Sequence, residues 1–256
     1  MMLARFRMPA FAVTIGAAAV VAPLLGLAAP AQAAAGGDGG GGPAGAHAKA
    51  LSVTNSDHFA GYQVTVAAGS ATSSAAQYTL PALTCTSVYR AITSVAGVHV
   101  TVSGAATYSS AFVFVGCFHG QAGYFPALVI NGNEVNYNTT AFHAGDVIKV
   151  ATKVTTASTT VSVRDVTTGV TKKRTGPGAS SSSAYIGDSD WNVNGMLLTV
   201  PKFGTITFTH CSVNGKALAA SHPARYQRVT SGGTVQITTG ALSSAGTAFA
   251  THYKHL

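Results

Sequence analysis

Carboxylates, which could act as general acids or bases, are scarce in this 256-residue chain, which contains only seven Asp and Glu residues. Its single glutamate is Glu134, close to the Asn131-Gly132 pair. Asn-Gly between apolar runs predicts a tight turn. We therefore expect Glu134 to be a solvated turn residue, not a general base. Among the aspartates, Asp190 stands out because it directly precedes Trp191, the only tryptophan.

Thiol chemistry is limited to three cysteines. Cys85 and Cys117 each end an apolar, strand-like run beside Gly or Pro, so we expect a Cys85–Cys117 disulfide of the kind that exported proteins form. The odd count leaves Cys211 unpaired. Its neighbour His210 would allow a Cys–His nucleophile, although the interpretation we favour is a small buried residue of a β core.

Nine histidines and many serines raise the question of a hydrolase or a metal site. The chain lacks the Gly-x-Ser-x-Gly elbow of serine hydrolases. Only His252 and His255 have a ligand-like spacing, which is weak, so we predict neither a metal nor a cofactor. The remaining histidines that we considered are expected at the surface or in turns: His119, His143, His210 and His222.

The elements that must position these residues are short strands. Alternation of apolar and polar residues with period two, as in 62–66, 98–102 and 147–154, predicts strands from residue 51 onward. The apolar run 111–115 predicts a central strand covered on both faces. The serine-rich stretch before Asp190 is predicted to be a loop. About a dozen strands separated by regular turns predict an antiparallel sandwich or barrel.

The first residues have the pattern of a secretory signal peptide. Arg5 and Arg7 precede the apolar segment 11–27, and Ala-Gln-Ala at 31–33 is a cleavage site of the small-x-small type. No later apolar run is long enough for a membrane span. We therefore predict a secreted protein in which residues 1–33 are the signal peptide, 34–50 a Gly/Ala-rich linker and 51–256 a single β domain.

The formal net charge is +8, or +6 once Arg5 and Arg7 are removed with the signal peptide. The basic residues are scattered except for Lys172-Lys173-Arg174, which we interpret as a solvated hairpin face. We predict no nucleic-acid partner, no membrane contact after cleavage, and a monomer.

Four stretches occur in an order and at a spacing that can be compared with a known protein family. They are His58-Phe59-Ala60-Gly61-Tyr62, residues 76–81, residues 144–150, and Asp190-Trp191 followed by 203–208. Together they resemble the glutamic peptidase, or eqolisin, family. The resemblance implies an all-β fold, a bent antiparallel β-sandwich of two sheets with a substrate cleft on its concave side.

The same resemblance implies acid endopeptidase chemistry, in which a Glu activates water and a Gln amide stabilises the oxyanion. It places Phe114 at the glutamine position, Asp190 at the glutamate position and Asn194 at a second carboxylate. Phenylalanine has no hydrogen-bonding group. Asp190 keeps the charge but retracts it by about 1.5 Å, and a misplacement of about 1 Å can cost on the order of 100-fold in rate.

We therefore expect a secreted eqolisin-like protein that has lost the Gln/Glu dyad and binds an extended peptide or a glycan in its concave groove. The alternative is an active acid endopeptidase with Asp190 as the base and Gln121 or His119 as a new donor. The residues that we expect to line the groove are aromatic: Phe59, Tyr62, Phe114, Tyr124 and Trp191.

Overall fold

Alternating β-branched and small residues form strands throughout the part of the chain that the computed structural model describes. This part belongs to one compact unit, Ala48–Leu256. The predicted signal peptide, the predicted linker, Trp191, Asn194 and His255 lie outside the described residues. The described residues are 51–86, 88–140, 142–190, 192–193, 196–197 and 199–254.

The strands are numbered in chain order. They are β1 (Val53–Ser56), β2 (Phe59–Thr65), β3 (Thr72–Thr79), β4 (Arg90–Val102), β5 (Ala105–Phe118), β6 (Gln121–Ile130), β7 (Asn133–Asn136), β8 (Val147–Val154), β9 (Ser158–Asp165), β10 (Thr171–Pro177), β11 (Ser180–Asp190), β12 (Asn192–Val193), β13 (Met196–Leu197), β14 (Thr205–Val213), β15 (Lys216–Ala217), β16 (Ala224–Val229), β17 (Val235–Thr239) and β18 (Phe249–Tyr253).

Apart from the short β12–β13 pair, the described strands form one hydrogen-bonded sheet. Its order is β10-β9-β8-β3-β14-β18-β17-β16-β2-β11-β4-β5-β6-β7, with β1 beside β16 and β15 beside β14. Pairing along this path is antiparallel, and β1 pairs in parallel with β16. The prediction of an all-β antiparallel fold is confirmed, and its two layers are parts of one curled sheet.

The layers meet where β4, β5 and β6 pack over β8 and β9. The core between them is apolar, with Val113 and Ile148 among its fully buried members. Side-chain hydroxyls also join the layers, because Tyr78 Oη donates to the Ser94 carbonyl and Thr152 Oγ1 donates to the Ala96 carbonyl. Burial of one strand face against the other layer fixes which residues face outward.

The serine-rich stretch before Asp190 is strand β11, so its prediction as a loop was wrong. β11 lies centrally, between β2 and β4. Its serines are compatible with this position because they have partners: Ser181 Oγ lies 2.8 Å from Thr72 Oγ1, and Ser183 Oγ accepts a hydrogen bond from Gln63 Nε2 at 3.0 Å. Buried hydroxyls that are hydrogen-bonded do not carry the cost of unsatisfied groups.

The predicted Cys85–Cys117 disulfide is present. It joins the segment before β4 to the end of β5, and Cys211 is the free thiol. In the part of the chain that the structure describes, no helix is long and apolar enough to cross a membrane.

Candidate functional site

The face of the sheet that points away from the core carries a cavity of ≈ 460 Å³, which we call the groove. Residues of β2, β4, β5 and β11 form most of it, and β7 and β16 contribute at its sides. Its lining residues are Ser56, His58, Phe59, Gln63, Thr93, Val95, His99, Tyr108, Ser110, Phe112, Glu134, Tyr185, Ser189, Asp190 and Tyr226.

Strand periodicity explains why these residues share one face. Tyr108, Ser110 and Phe112 alternate along β5, and successive side chains of a strand point to opposite faces. The register with β4 places Gly97 opposite Ser110 and His99 opposite Tyr108. The groove therefore has a floor of alternate residues from neighbouring strands.

A glycine allows an aromatic ring to lie flat on this floor. A Cβ atom at Gly97 would come within 2.3 Å of the Tyr185 ring, so the ring occupies the space that a side chain would fill. Tyr185 stacks on His99, with ring centroids 4.6 Å apart, and makes an edge contact with Phe59 at 5.9 Å. Phe59, Tyr185 and His99 thus form an aromatic stripe along the groove.

Asp190 lies at one end of the groove and is bound to His58. The Asp190 side chain is 12% exposed, and its Oδ2 atom lies 2.5 Å from His58 Nδ1. The other ring nitrogen of His58 lies 3.3 Å from Asp57 Oδ2. Because both ring nitrogens of His58 face carboxylates, His58 is not placed to deprotonate a serine.

Glu134 lies at the opposite side of the groove, on β7, so our expectation of a solvated turn carboxylate was wrong. It is half-buried, and burial raises its pKa, against the effect of the Asn136 side chain. Burial also raises the pKa of the nearby Tyr108, as do the charges of Glu134 and Asp190. Glu134 lies in a strand and not in the Asn-Gly turn, because β7 extends from Asn133 to Asn136 and pairs with β6.

Comparison with known protein families decides the affiliation of this chain. The model of the Peptidase A4 family matches residues 57–252, which includes every strand from β2 onward except the last residue of β18. The chain belongs to the Peptidase A4 family.

Solved structures similar to this family member include two glutamic peptidases and a member of the eqolisin family of peptidases. Scytalido-glutamic peptidase with a transition state analog inhibitor has a TM-score of 0.63 at 14% identity, covering 77% of this chain and 98% of that one. SCP-B, an eqolisin in complex with the tripeptide Ala-Ile-His, has 0.61 at 16%, with coverages of 77% and 98%. Aspergilloglutamic peptidase from Aspergillus niger has 0.54 at 19%, with 64% and 99%. A comparison with curated protein sequences finds no match.

In this Peptidase A4 member, Phe114 lies on the groove face of β5 but does not line the groove, contrary to our expectation. It is fully buried and stacks on Phe125 with centroids 4.5 Å apart, and Phe118 lies 5.2 Å away. In the register, Phe114 pairs with Thr93, which pairs with Ser189, the residue before Asp190. An aromatic cluster therefore occupies the position that the family resemblance assigns to the glutamine.

Two other expected groove residues lie in the core instead. Tyr62 is buried, donates a hydrogen bond to the Gly240 carbonyl at 2.9 Å and contacts Phe249. Tyr124 is buried and donates to the Pro81 carbonyl at 2.7 Å. Tyr62 is three residues from Phe59, and residues separated by an odd number along a strand face opposite sides of the sheet.

The residues of the groove that sequence reasoning missed could have been found by periodicity. Once Phe114 is assigned to the groove face, Phe112, Ser110 and Tyr108 follow on the same face of β5. Tyr185 carried no such signal, because the stretch before Asp190 was predicted to be a loop. His99 was predicted in the strand 98–102, but its pairing with Tyr108 was not.

Beneath the groove, Asp188 is a carboxylate without solvent exposure. It accepts hydrogen bonds from Ser94 Oγ at 2.7 Å and from Thr251 Oγ1 at 2.5 Å. Burial raises the pKa of Asp188 to about 7, against these hydrogen bonds and the charge of Arg228. Asp188 therefore joins β11 to β4 and β18 inside the protein and does not line the groove.

The other candidates for chemistry are not placed to react. Burial raises the pKa of Cys211 to about 12, so its thiol is protonated and hidden in the core. Ser183 Oγ lies 2.8 Å from His99 Nδ1, but Ser183 is buried and does not line the groove. Among the described residues, no cluster of three His, Cys, Asp or Glu could hold a metal ion.

Proposed function

We propose that this protein binds an extended peptide in its groove and does not hydrolyse it through the Gln/Glu dyad of its family. The observation that carries this proposal is the aromatic cluster of Phe114, Phe118 and Phe125. A fully buried benzyl group can neither donate to an oxyanion nor hold a water. The chain therefore has the family's scaffold without one of the two groups on which the family's chemistry depends.

The groove itself supports binding. Its volume of ≈ 460 Å³ lies in the range of ligand sites, and its aromatic stripe is bordered by polar groups that could fix orientation. Two of the similar structures hold peptide ligands, a peptide-based transition state analog and the tripeptide Ala-Ile-His. This favours a peptide over the glycan that the sequence also allowed.

The test is incubation of the purified protein with denatured protein and with a peptide library between about pH 2 and pH 7. We expect bound peptides and no cleavage products by mass spectrometry. Cleavage that Asp190→Ala abolishes would overturn the non-catalytic part of the proposal. A glycan array serves as the second arm, and binding of glycans without peptides would overturn the peptide assignment.

A second candidate function is acid endopeptidase activity with Asp190 as the general base. The observation that favours it is the position of Asp190 on the groove, with its carboxylate oriented by His58 at 2.5 Å. Gln121 and His119, the donors expected from the sequence, do not line the groove. Any proteolysis that persists unchanged in Asp190→Asn would eliminate this candidate.

We further propose that the protein acts outside the cell. The disulfide supports this, because disulfides persist in oxidising compartments. Sequencing the N-terminus of the protein from culture medium would test it, with cleavage after Ala33 as the expected result.

A further inference from the structure

We infer that the groove recognises a basic side chain, Lys or Arg, of the bound peptide at a subsite formed by Glu134, Ser110 and Tyr108. This inference rests on the proposed peptide binding and adds the chemical class of the ligand. It makes Glu134 a specificity-determining residue.

The first argument is charge. The whole chain carries a formal net charge of +8, yet the groove is lined by Glu134 and Asp190 and, among the described residues, by no Lys or Arg. Asp190 is bound to His58 and lies near Arg228, so Glu134 is the carboxylate that is left for a ligand. Charge of one sign in a cleft raises the local concentration of ligands of the opposite sign. The groove therefore favours a positively charged ligand, although the protein as a whole is positively charged.

The second argument is the geometry of one row across three strands. Glu134 on β7 pairs with Val129 on β6, and Val129 pairs with Ser110 on β5. Glu134 and Ser110 both line the groove, and Val129 lies buried between them beside Phe112. A Lys or Arg side chain suits this row, because its apolar stem can pack on Phe112, which lines the groove, while its charged head reaches Glu134.

The third argument is an unsatisfied hydroxyl. Ser110 is 1% exposed, and its Oγ atom has no hydrogen-bond partner among the described residues. Burial raises the pKa of Tyr185, and the adjacent Ser110 hydroxyl opposes that rise, which places Ser110 beside the aromatic stripe. A buried hydroxyl without a partner is costly, and an ammonium or guanidinium donor would satisfy it.

The fourth argument is the state of Glu134 itself. No Lys or Arg forms a salt bridge with it in the described part of the chain. Burial raises its pKa, which means that its charged form lacks compensation in the unoccupied groove. A bound cation would supply that compensation, and the Tyr108 ring beside it offers a cation–π contact.

The experiment compares blocked octapeptides that differ at one central residue, which is Lys, Arg, norleucine or Glu. Norleucine keeps the apolar stem of lysine and removes its charge. By isothermal titration calorimetry at neutral pH and low salt, we expect the Lys and Arg peptides to bind wild-type protein about tenfold more tightly than the norleucine peptide. Glu134→Gln should abolish this preference, so that the Lys, Arg and norleucine peptides bind the variant with similar affinities.

Two further variants sharpen the result. Asp57→Asn removes the same charge from an exposed residue that does not line the groove, and it should retain the preference. Ser110→Ala should reduce the preference part of the way. Thermal unfolding of each variant verifies that the fold is intact.

The outcomes separate the two proposals. Equal affinities of the wild type for the Lys and norleucine peptides, or a preference that survives Glu134→Gln, would overturn the basic subsite alone. Binding of none of the peptides would overturn the peptide-binding function and the subsite with it.

Discussion

Asp188 is a single residue whose environment makes the stability of the protein depend on pH. Its folded-state pKa of about 7 exceeds the ordinary value of 3.8, so the folded protein retains a proton that the unfolded chain has already lost. The free energy of unfolding therefore falls as the pH rises from about 4 to about 7, and then levels off. Each pKa unit corresponds to about 1.4 kcal/mol, which gives a loss on the order of 4 kcal/mol.

The variant Asp188→Asn should remove this dependence, because an amide has no proton to lose in this range and can still pair with Ser94 and Thr251. Urea unfolding between about pH 4 and pH 8 measures it. An unchanged slope in the variant would show that other groups cause the pH dependence.

The stabilities of two Phe114 variants test whether this position is buried and apolar, as the loss of the family's glutamine requires. Phe114→Leu and Phe114→Gln both lose the stacking on Phe125, but the glutamine also buries an amide. We expect Phe114→Gln to be less stable than Phe114→Leu by about 1–3 kcal/mol, measured by urea unfolding. Equal stability of the two variants would mean that water or a groove residue reaches this position, which would revive the peptidase alternative.

Residues such as these were partly predictable. The position of Asp190 followed from motif order, because it directly precedes the only tryptophan. Tyr62 was misassigned although the alternation of β2 already places it opposite to Phe59. Glu134 was misassigned for another reason: the Asn-Gly turn was correct, but the length of the strand that follows it depends on pairing with β6, which local sequence does not encode.

At the scale of elements, the aromatic stripe depends on Gly97 in the middle of β4. In Gly97→Ala the new Cβ would meet the Tyr185 ring at 2.3 Å, so the ring must move away from His99. We expect a loss of about 1–3 kcal/mol in unfolding free energy, as is typical of overpacking, together with weaker peptide binding.

Chemical denaturation and calorimetry of Gly97→Ala measure both effects. Gly232→Ala is the matched control, because the nearest atom to its new Cβ lies at 3.7 Å. Equal losses in the two variants would show that the cost arises from the alanine itself and not from Tyr185.

Strands with clear alternation, such as β8, were predicted with nearly their observed limits. β11 was not, because Ser180 to Ser183 carry no apolar pattern and its central position depends on pairing with β2 and β4. Where β11 meets β2, Gly187 pairs with Gly61, and a Cβ on Gly187 would come within 2.2 Å of the Ala60 carbonyl oxygen. Such close backbone approach leaves no hydrophobic signature in a sequence.

At the scale of the whole molecule, the disulfide constrains the unfolded chain. Cys85 and Cys117 are separated by 32 residues, and a loop of that length predicts a stabilisation of about 3–4 kcal/mol. The double variant Cys85→Ala/Cys117→Ala should lose that amount in urea unfolding, and reduction of the wild type should reproduce the loss. A change below about 1 kcal/mol in both would contradict an important role for this bond.

The overall architecture was predictable because four separate stretches agreed in order, and the family comparison confirms it. The order of strands in the sheet was not predictable, because it is set by partners that are distant in the sequence.

That distance has a consequence for how the protein is made. β2 pairs with β11 and β16, so residues 59–65 leave the ribosome long before either neighbour exists. A nascent chain that ends at Pro177 would present β2 with both edges bare, which invites association with other chains. Assembly of this sheet must therefore wait until β11 and β16 have been translated, and a fragment that ends at Pro177 should precipitate instead of folding.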